Sequence, residues 1–163
     1  MLLAFAGLFL TGSPSAAEES PTAAKQPTAP GGHLLVYPNA AWAKYPSLQE
    51  AIRAGDQVGV SVVVFYERPN YDSSGATLTY SVFRDCTATL SDKDFKFPNF
   101  PNGWSNQASS VTTQLGNGSH CDVWMSDLEG FLGECGNKWI DLHWDLRQVP
   151  YGCDNKASSF ELS

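Results

Sequence analysis

The chain has 163 residues, four cysteines and a formal charge of −7, with 42% hydrophobic and 12% aromatic residues. This length suits one domain of ordinary size plus tails, with enough apolar residues for a packed core. The acidic charge argues against nucleic acid and anionic membrane surfaces as partners, because both bind preferentially to basic patches. It is compatible with a cation ligand, a basic protein partner or simple solubility.

The N-terminus has features of a secretory signal peptide. An apolar run covers residues 2–10, and residues 15–17 are small enough for a cleavage site. The run is shorter than the roughly 20 apolar residues that span a bilayer. No basic residue precedes it, and a short buried helix is the alternative. We expect 1–17 to be a signal peptide and 18–32, rich in Pro, Ala, Thr and Gly, to be a disordered, flexible linker.

Residues 33–57 form an N-terminal extension ahead of the main domain. Ser47 is a candidate N-cap, and Glu50 three residues later completes a capping box. The apolar positions that follow share one face of a short helix, which Gly55 is expected to end. We expect the extension to pack on the domain as a strap, with its helix outside the main β-structure. A partner-binding or pro-like segment is the alternative.

From residue 58 onward, short β-branched and aromatic stretches bounded by turn residues predict strands. The first half has strands at 58–66 and 76–83, a third candidate at 87–90, and an irregular aromatic loop at 92–104. Later strands are predicted at 110–114, 121–125, 138–144 and 159–162. About eight short strands in two sets of four, with little helix, predict an all-β sandwich.

The four cysteines are Cys86, Cys121, Cys135 and Cys153, and they allow three disulfide pairings. The chain has no Cys-x-x-Cys pair and only His120 nearby, which argues against a zinc site. Two disulfides are the expected state of an exported protein. Sequence does not decide the pairing, although Cys121–Cys135 with Cys86–Cys153 is favoured because the first pair brackets one predicted hairpin.

A polar motif occurs twice in the chain. Residues 105–111 read Ser-Asn-Gln-Ala-Ser-Ser-Val, and residues 154–160 read Asp-Asn-Lys-Ala-Ser-Ser-Phe. A repeat at this spacing suggests one supersecondary unit used twice. Oxygen-bearing side chains before an apolar residue also indicate a turn that enters a strand. The motif is therefore either a cation site or a latch that folds each unit.

Two sets of four strands, each closing on such a turn, resemble the βγ-crystallin superfamily. Each Greek key of that family begins with a hairpin of the form aromatic-x4-aromatic-x-Gly. Tyr66 and Tyr71 match the aromatic spacing, and Gly75 follows two residues late. The resemblance covers residues 58–163 and implies an all-β fold in which two Greek-key motifs form a βγ-crystallin-like β-sandwich. Residues 33–57 lie outside the match, so we expect the short N-terminal helix to lie outside the sandwich.

The second hairpin matches the family less closely. It is predicted to begin at 123–124, with Leu128 or Glu129 at the second aromatic position and Gly130 near the expected glycine. The copy at 154–159 fully matches the family motif Asn/Asp-Asn/Asp-x-x-Ser/Thr-Ser. The earlier copy departs at its first position, where Ser105 stands for Asn or Asp.

In this family the two motifs of a domain cross over, so that each calcium site draws on both copies. The resemblance implies as ligand candidates Asp154, Asn155, Ser158, Asn106, Ser109 and a hairpin carbonyl near Glu67. Calcium takes six to eight oxygen ligands, and Ser105 removes a carboxylate or amide from the set. The alternative is that the serines only hydrogen-bond the folded hairpin.

We predict that the chain is not an enzyme. It lacks Gly-x-Ser-x-Gly, His-Glu-x-x-His and phosphate-cradling glycine motifs, and His33, His120 and His143 are scattered. Export, four cysteines and two keys resemble the secreted microbial branch, which contains streptomycete-type metalloproteinase inhibitors and killer-toxin-like proteins.

We therefore expect a secreted, extracellular, monomeric binding module that inhibits a secreted proteinase. A rigid, disulfide-held loop can occupy a proteinase cleft at small entropic cost, and 92–104 and 134–138 are candidate loops. The alternatives are a calcium-binding protein with a structural or stress role and a killer-toxin-like antimicrobial protein.

Overall fold

The computed structural model describes residues 31–87, 89–101, 103–133, 135–148 and 152–163. The predicted signal peptide and all but the last two residues of the predicted linker lie outside the described residues. The described part is mostly β, with two sheets and one short helix, as the strand patterns predict. Its helix is neither long enough nor apolar enough to cross a membrane.

The described strands are β1 (His33–Val36), β2 (Trp42–Tyr45), β3 (Val60–Tyr66), β4 (Thr77–Val82), β5 (Phe95–Phe97), β6 (Ser110–Thr112), β7 (Val123–Ser126), β8 (Cys135–Ile140), β9 (Leu142–His143) and β10 (Ser159–Leu162). Helix α1 covers Leu48–Asp56, and a single 3-10 turn covers Glu129–Phe131 between β7 and β8. One sheet has the order β2-β1-β4-β3-β6-β9, and the other has the order β5-β10-β7-β8.

Each sheet contains one strand from the other half of the chain. Strands β3, β4 and β6 from the first half are completed by β9, which pairs with β6. Strands β7, β8 and β10 from the second half are completed by β5, which pairs with β10. Because each half donates a strand to the other sheet, the two halves are interlocked.

Aromatic side chains from both sheets form one core. Phe160 of β10 lies 4.9 Å from Phe65 of β3 and 4.8 Å from Tyr80 of β4, measured between ring centroids. Phe97 of β5 stacks on the same Phe160 ring at 4.5 Å. Aromatic pairs in such geometries add about 0.5–1.5 kcal/mol each beyond their buried area. Phe160, which follows the second Ser-Ser pair, therefore packs against aromatic residues of both sheets.

The extension at 33–57 supplies two strands rather than only a strap. Strand β1 runs parallel to β4 and antiparallel to β2, so the extension lengthens the six-stranded sheet by two strands. Helix α1 begins as predicted, because the Ser47 hydroxyl accepts the Glu50 N–H. The helix does not end at Gly55 but continues to Asp56. A Cβ built on Gly55 would overlap Ser61 Oγ, so this glycine permits close packing of α1 on the sheet.

Two strand predictions in the middle of the chain are wrong. No described residue of 87–90 is in a strand, because the Thr87 N–H and hydroxyl donate to Asp94 and its hydroxyl also donates to Asp92. Such side-chain bonds replace strand pairing. The third strand of this half is instead β5, inside the predicted loop at 92–104. The predicted strand at 138–144 is divided at Asp141 into β8 and β9, which belong to different sheets.

The favoured disulfide pairing is also wrong. Cys86 pairs with Cys121, and Cys135 pairs with Cys153, with Cα–Cα distances of 5.1 and 5.0 Å. In the hairpin of β7 and β8, Cys135 lies opposite Met125. Cys121 is four residues earlier, which at about 3.4 Å per residue of extended chain places it roughly 14 Å away along the chain. A disulfide rarely spans more than about 7 Å between Cα atoms, so the bracketing pair cannot form.

Candidate functional site

The two copies of the polar motif face each other and exchange backbone hydrogen bonds. The N–H of Asn106 donates to the carbonyl of Ala157 at 2.9 Å, and the N–H of Asn155 donates to the carbonyl of Ala108 at 2.9 Å. Both asparagines have a positive φ, 61° and 53°. Asn is among the few residues that adopt this left-handed conformation at small cost. The copies are therefore equivalent turns related by an approximate twofold.

The first turn closes over the loop that follows β3. The N–H of Ser109 donates to the carbonyl of Tyr66 at 2.8 Å. The hydroxyl of Ser110 donates to the Arg68 carbonyl at 2.7 Å and accepts the Tyr71 N–H at 3.1 Å. One serine hydroxyl thus satisfies a backbone acceptor and a backbone donor of the same hairpin.

The second turn repeats this arrangement on the loop that follows β7. The N–H of Ser158 donates to the carbonyl of Ser126 at 2.9 Å. The hydroxyl of Ser159 donates to the Leu128 carbonyl at 2.7 Å and accepts the Phe131 N–H at 3.0 Å. These three hairpin partners correspond in order to those of the first turn, which are Tyr66, Arg68 and Tyr71. The correspondence sets the true register of the second hairpin.

That register corrects the predicted second hairpin. Phe131, not Leu128 or Glu129, is the counterpart of Tyr71, and both have a positive φ, 65° and 55°. Gly133 follows Phe131 by two residues, as an aromatic-x-Gly pattern requires. The second half of the hairpin pattern, Phe131-x-Gly133, was present in the sequence. The first half was hidden, because Ser126 stands where the pattern has its first aromatic residue.

The predicted metal ligands fall into two groups around the paired turns. Ser158 and Asn106 are brought together, because the Ser158 hydroxyl donates to Asn106 Oδ1 at 3.2 Å. Ser109 lies beside the first hairpin, next to Glu67. The carboxylate of Glu67 accepts the Ala76 N–H at 3.0 Å, so the side chain closes its own hairpin.

Two carboxylates at this site have an unsatisfied oxygen. Oδ1 of Asp154 and Oδ1 of Asp127 are buried and find no hydrogen-bond partner among the described residues. The other oxygen of Asp154 accepts the Asn155 amide at 3.3 Å. Leaving a buried polar atom unpaired costs about 1–3 kcal/mol, and more when it is charged. A cation bound at either oxygen would remove that cost there.

Asp127 was missed in the sequence. In the corrected register it is the counterpart of Glu67, and it follows Ser126, whose carbonyl holds the Ser158 N–H. A Cβ built on Gly133 would overlap Asp127 Oδ1, so this glycine leaves the space that the carboxylate fills. The corrected hairpin register is the signal that would have found it.

Asp85 lies beside the first disulfide, with ligand-type atoms of Cys86 and Cys121 within 4.8 Å of one another and of its carboxylate. The two cysteines are bonded to each other and offer no thiolate, so this group does not make a metal site. Asp85 instead accepts hydrogen bonds from the ring and the backbone N–H of His120. Burial favours the neutral acid, but these bonds and that from the Cys86 N–H outweigh it and lower the pKa of Asp85.

An apolar cavity of about 480 Å³ lies between the end of β4, strand β5 and the segment after β1. Its aromatic lining residues are Tyr37, Tyr80, Phe83, Phe95 and Phe97. None of the residues of either polar turn lines it. The cavity is therefore separate from the paired turns.

No protein-family model matches the chain, and neither curated proteins nor solved structures give a significant match. Two disulfides are typical of extracellular proteins, which agrees with the predicted leader.

Proposed function

We propose that this chain is a secreted binding module of the βγ-crystallin type that inhibits a proteinase, with secreted metalloproteinases as the first class to test. The strand exchange between the halves and the reciprocal bonds of Asn106 and Asn155 support the family assignment. Two motifs that cross over and each close on a Ser-Ser turn are expected to show both features. The predicted signal peptide and the two disulfides support secretion.

The observation that carries the inhibitor proposal is the backbone of the hairpin loop at 127–133. Ser159 Oγ holds this loop at the Leu128 carbonyl and the Phe131 N–H. The Gly130 N–H adds a bond to the Pro98 carbonyl at 2.7 Å, and the Cys135–Cys153 disulfide begins two residues after the loop. A loop already held in one conformation loses little entropy when it enters a cleft.

We propose this loop in place of both candidates predicted from the sequence. Of the segment 134–138, Glu134 lies outside the described residues and the rest belongs to β8. The segment 92–104 contains β5, and its Phe100 and Trp104 side chains are buried. Core side chains are unavailable to a partner.

The test is inhibition of a panel of secreted metalloproteinases and serine proteinases by the purified full chain. We expect competitive inhibition of at least one metalloproteinase, and loss of inhibition after reduction and alkylation of all four cysteines. Failure to inhibit any member of the panel at micromolar concentrations would reject the proposal.

Calcium binding at the paired turns is a second candidate, favoured by the unpartnered oxygens of Asp127 and Asp154. Calorimetric titration should then give heat, and calcium should raise the melting temperature. The double variant Asp127→Asn/Asp154→Asn should lose both effects. Glu129→Gln is the matched control, since it removes an exposed charge from the same hairpin. Absence of heat and of a melting shift in the unaltered chain would leave the serines a purely structural role.

A further inference from the structure

The two hairpins have equivalent backbones as far as Tyr71 and Phe131, but the residues beside their serine clamps differ in side-chain chemistry. The hydroxyls of Ser110 and Ser159 hold equivalent carbonyls, so Arg68 corresponds to Leu128. In the same register Asp72 corresponds to Leu132. Arg68 and Asp72 form an exposed ion pair at 3.4 Å. Leu128 and Leu132 are 56% and 63% exposed.

The first hairpin shows that the fold does not need leucine at these two positions. Arg68 and Asp72 leave 54% and 43% of their side chains in solvent, while the hairpin keeps the same serine clamp. Single exposed apolar residues are common on protein surfaces and need no explanation. Two exposed leucines where the sister hairpin carries an ion pair do need one.

The leucines are also held in a defined relation to each other. The Leu128 N–H donates to the Leu132 carbonyl at 3.0 Å, which closes the loop between them. Ser159 fixes the Leu128 carbonyl from below. Two exposed apolar side chains on a closed loop can enter an apolar pocket, and the loop has little conformational freedom to lose on binding.

We infer that Leu128 and Leu132 form the partner-contacting edge of this protein, and that the partner is a proteinase whose specificity pocket accepts leucine. This inference rests on the proposed inhibitory function and names the surface that performs it. The equivalent edge of the first hairpin, Arg68 and Asp72, remains in solvent in the complex. A few central residues carry most of the binding energy of a typical protein interface, and this inference assigns that role to the two leucines.

The test copies the first hairpin tip onto the second. Leu128→Arg/Leu132→Asp should raise the inhibition constant of the full chain by about 100-fold, since each lost anchor costs about tenfold or more. The melting temperature should stay near that of the unaltered chain, because the first hairpin tolerates these residues. The matched control, Arg68→Ala/Asp72→Ala, should change the inhibition constant by less than about threefold.

A second variant, Leu128→Gln/Leu132→Gln, covers the case in which the charged pair disturbs folding, and it should weaken inhibition similarly. If the unaltered chain inhibits a proteinase and both leucine variants inhibit it equally well, this surface is wrong while the inhibitory function stands. If the unaltered chain inhibits no proteinase, the proposed function and this inference fail together.

Discussion

Asn106 and Asn155 occupy equivalent left-handed backbone positions, and each donates its N–H to the turn that contains the other. The two bonds are both 2.9 Å long and join Asn106 to Ala157 and Asn155 to Ala108. Neither turn can keep this arrangement without its partner. The two copies of the polar motif therefore act as a pair that connects the two halves of the chain.

The left-handed conformation of Asn155 predicts how substitutions there behave. Asn155→Ala should lower the free energy of unfolding by about 1 kcal/mol, because alanine is penalised at positive φ. Asn155→Gly should be close to neutral, since glycine adopts this conformation freely. Urea unfolding measures both, with the neighbouring exposed Lys156→Ala as the control. An alanine variant as stable as the unaltered chain would contradict the assigned backbone conformation.

The serine clamps predict a larger effect. Ser159→Ala should lower the free energy of unfolding by about 1–3 kcal/mol, because the Leu128 carbonyl and the Phe131 N–H lose their partner. Ser110→Ala should have a similar effect through the first hairpin. Ser73→Ala, at an exposed position, should stay within about 0.5 kcal/mol of the unaltered chain. Equal stability of all three variants would show that the clamps contribute little.

The disulfide pairing is tested by mapping the non-reduced protein after trypsin and Glu-C digestion. We expect the peptide 85–93 to be linked to 97–129, and the peptide 135–138 to be linked to 148–156. A link between 97–129 and 135–138 would restore the pairing favoured from the sequence. Replacing Cys86 and Cys121 together by serine should cost about 2–5 kcal/mol of stability.

The low pKa of Asp85 predicts an acid-sensitive contact. A carboxyl whose pKa is lowered on folding stabilises the protein above its unfolded pKa, and that contribution is lost as pH falls through the folded value. The melting temperature should therefore decrease at pH values below about 4, where a carboxyl group with the ordinary pKa of aspartate becomes protonated. Asp85→Asn should reduce the slope of this fall. Asp85 is partly exposed, so solvent screening keeps the effect small. An unchanged slope would assign the acid sensitivity to other carboxylates.

Strands with clear local patterns were predictable. The alternating valines before Tyr66 and the run from Ser159 indicated β3 and β10 to within two residues. Strand β5 was not predictable from local sequence. Phe95–Phe97 is only three residues long and is followed directly by a proline, and it becomes a strand by pairing with β10 at the far end of the chain. The division of the predicted strand at Asp141 was not predictable for the same reason. Its first part pairs with β7 in one sheet and its second part pairs with β6 in the other.

The candidate site was partly predictable. The repeated Ser-Ser turns located the motif, and the structure brings Ser158 and Asn106 together. Asp127 and the edge formed by Leu128 and Leu132 required the register of the second hairpin, which Ser126 conceals in the sequence. The hydrogen bonds of Ser158 and Ser159 reveal that register.

The amino-acid sequence is enough to predict the local features of this protein: the N-cap at Ser47, the turn chemistry of the two polar motifs and the β-character of the chain from residue 58. These depend on interactions between residues a few positions apart. Three other features are visible only in the tertiary structure: the strand exchange, the disulfide partners and the reciprocal contact of Asn106 and Asn155. Each of these joins residues that are distant in the chain, and their pairing depends on how both sheets pack around one core.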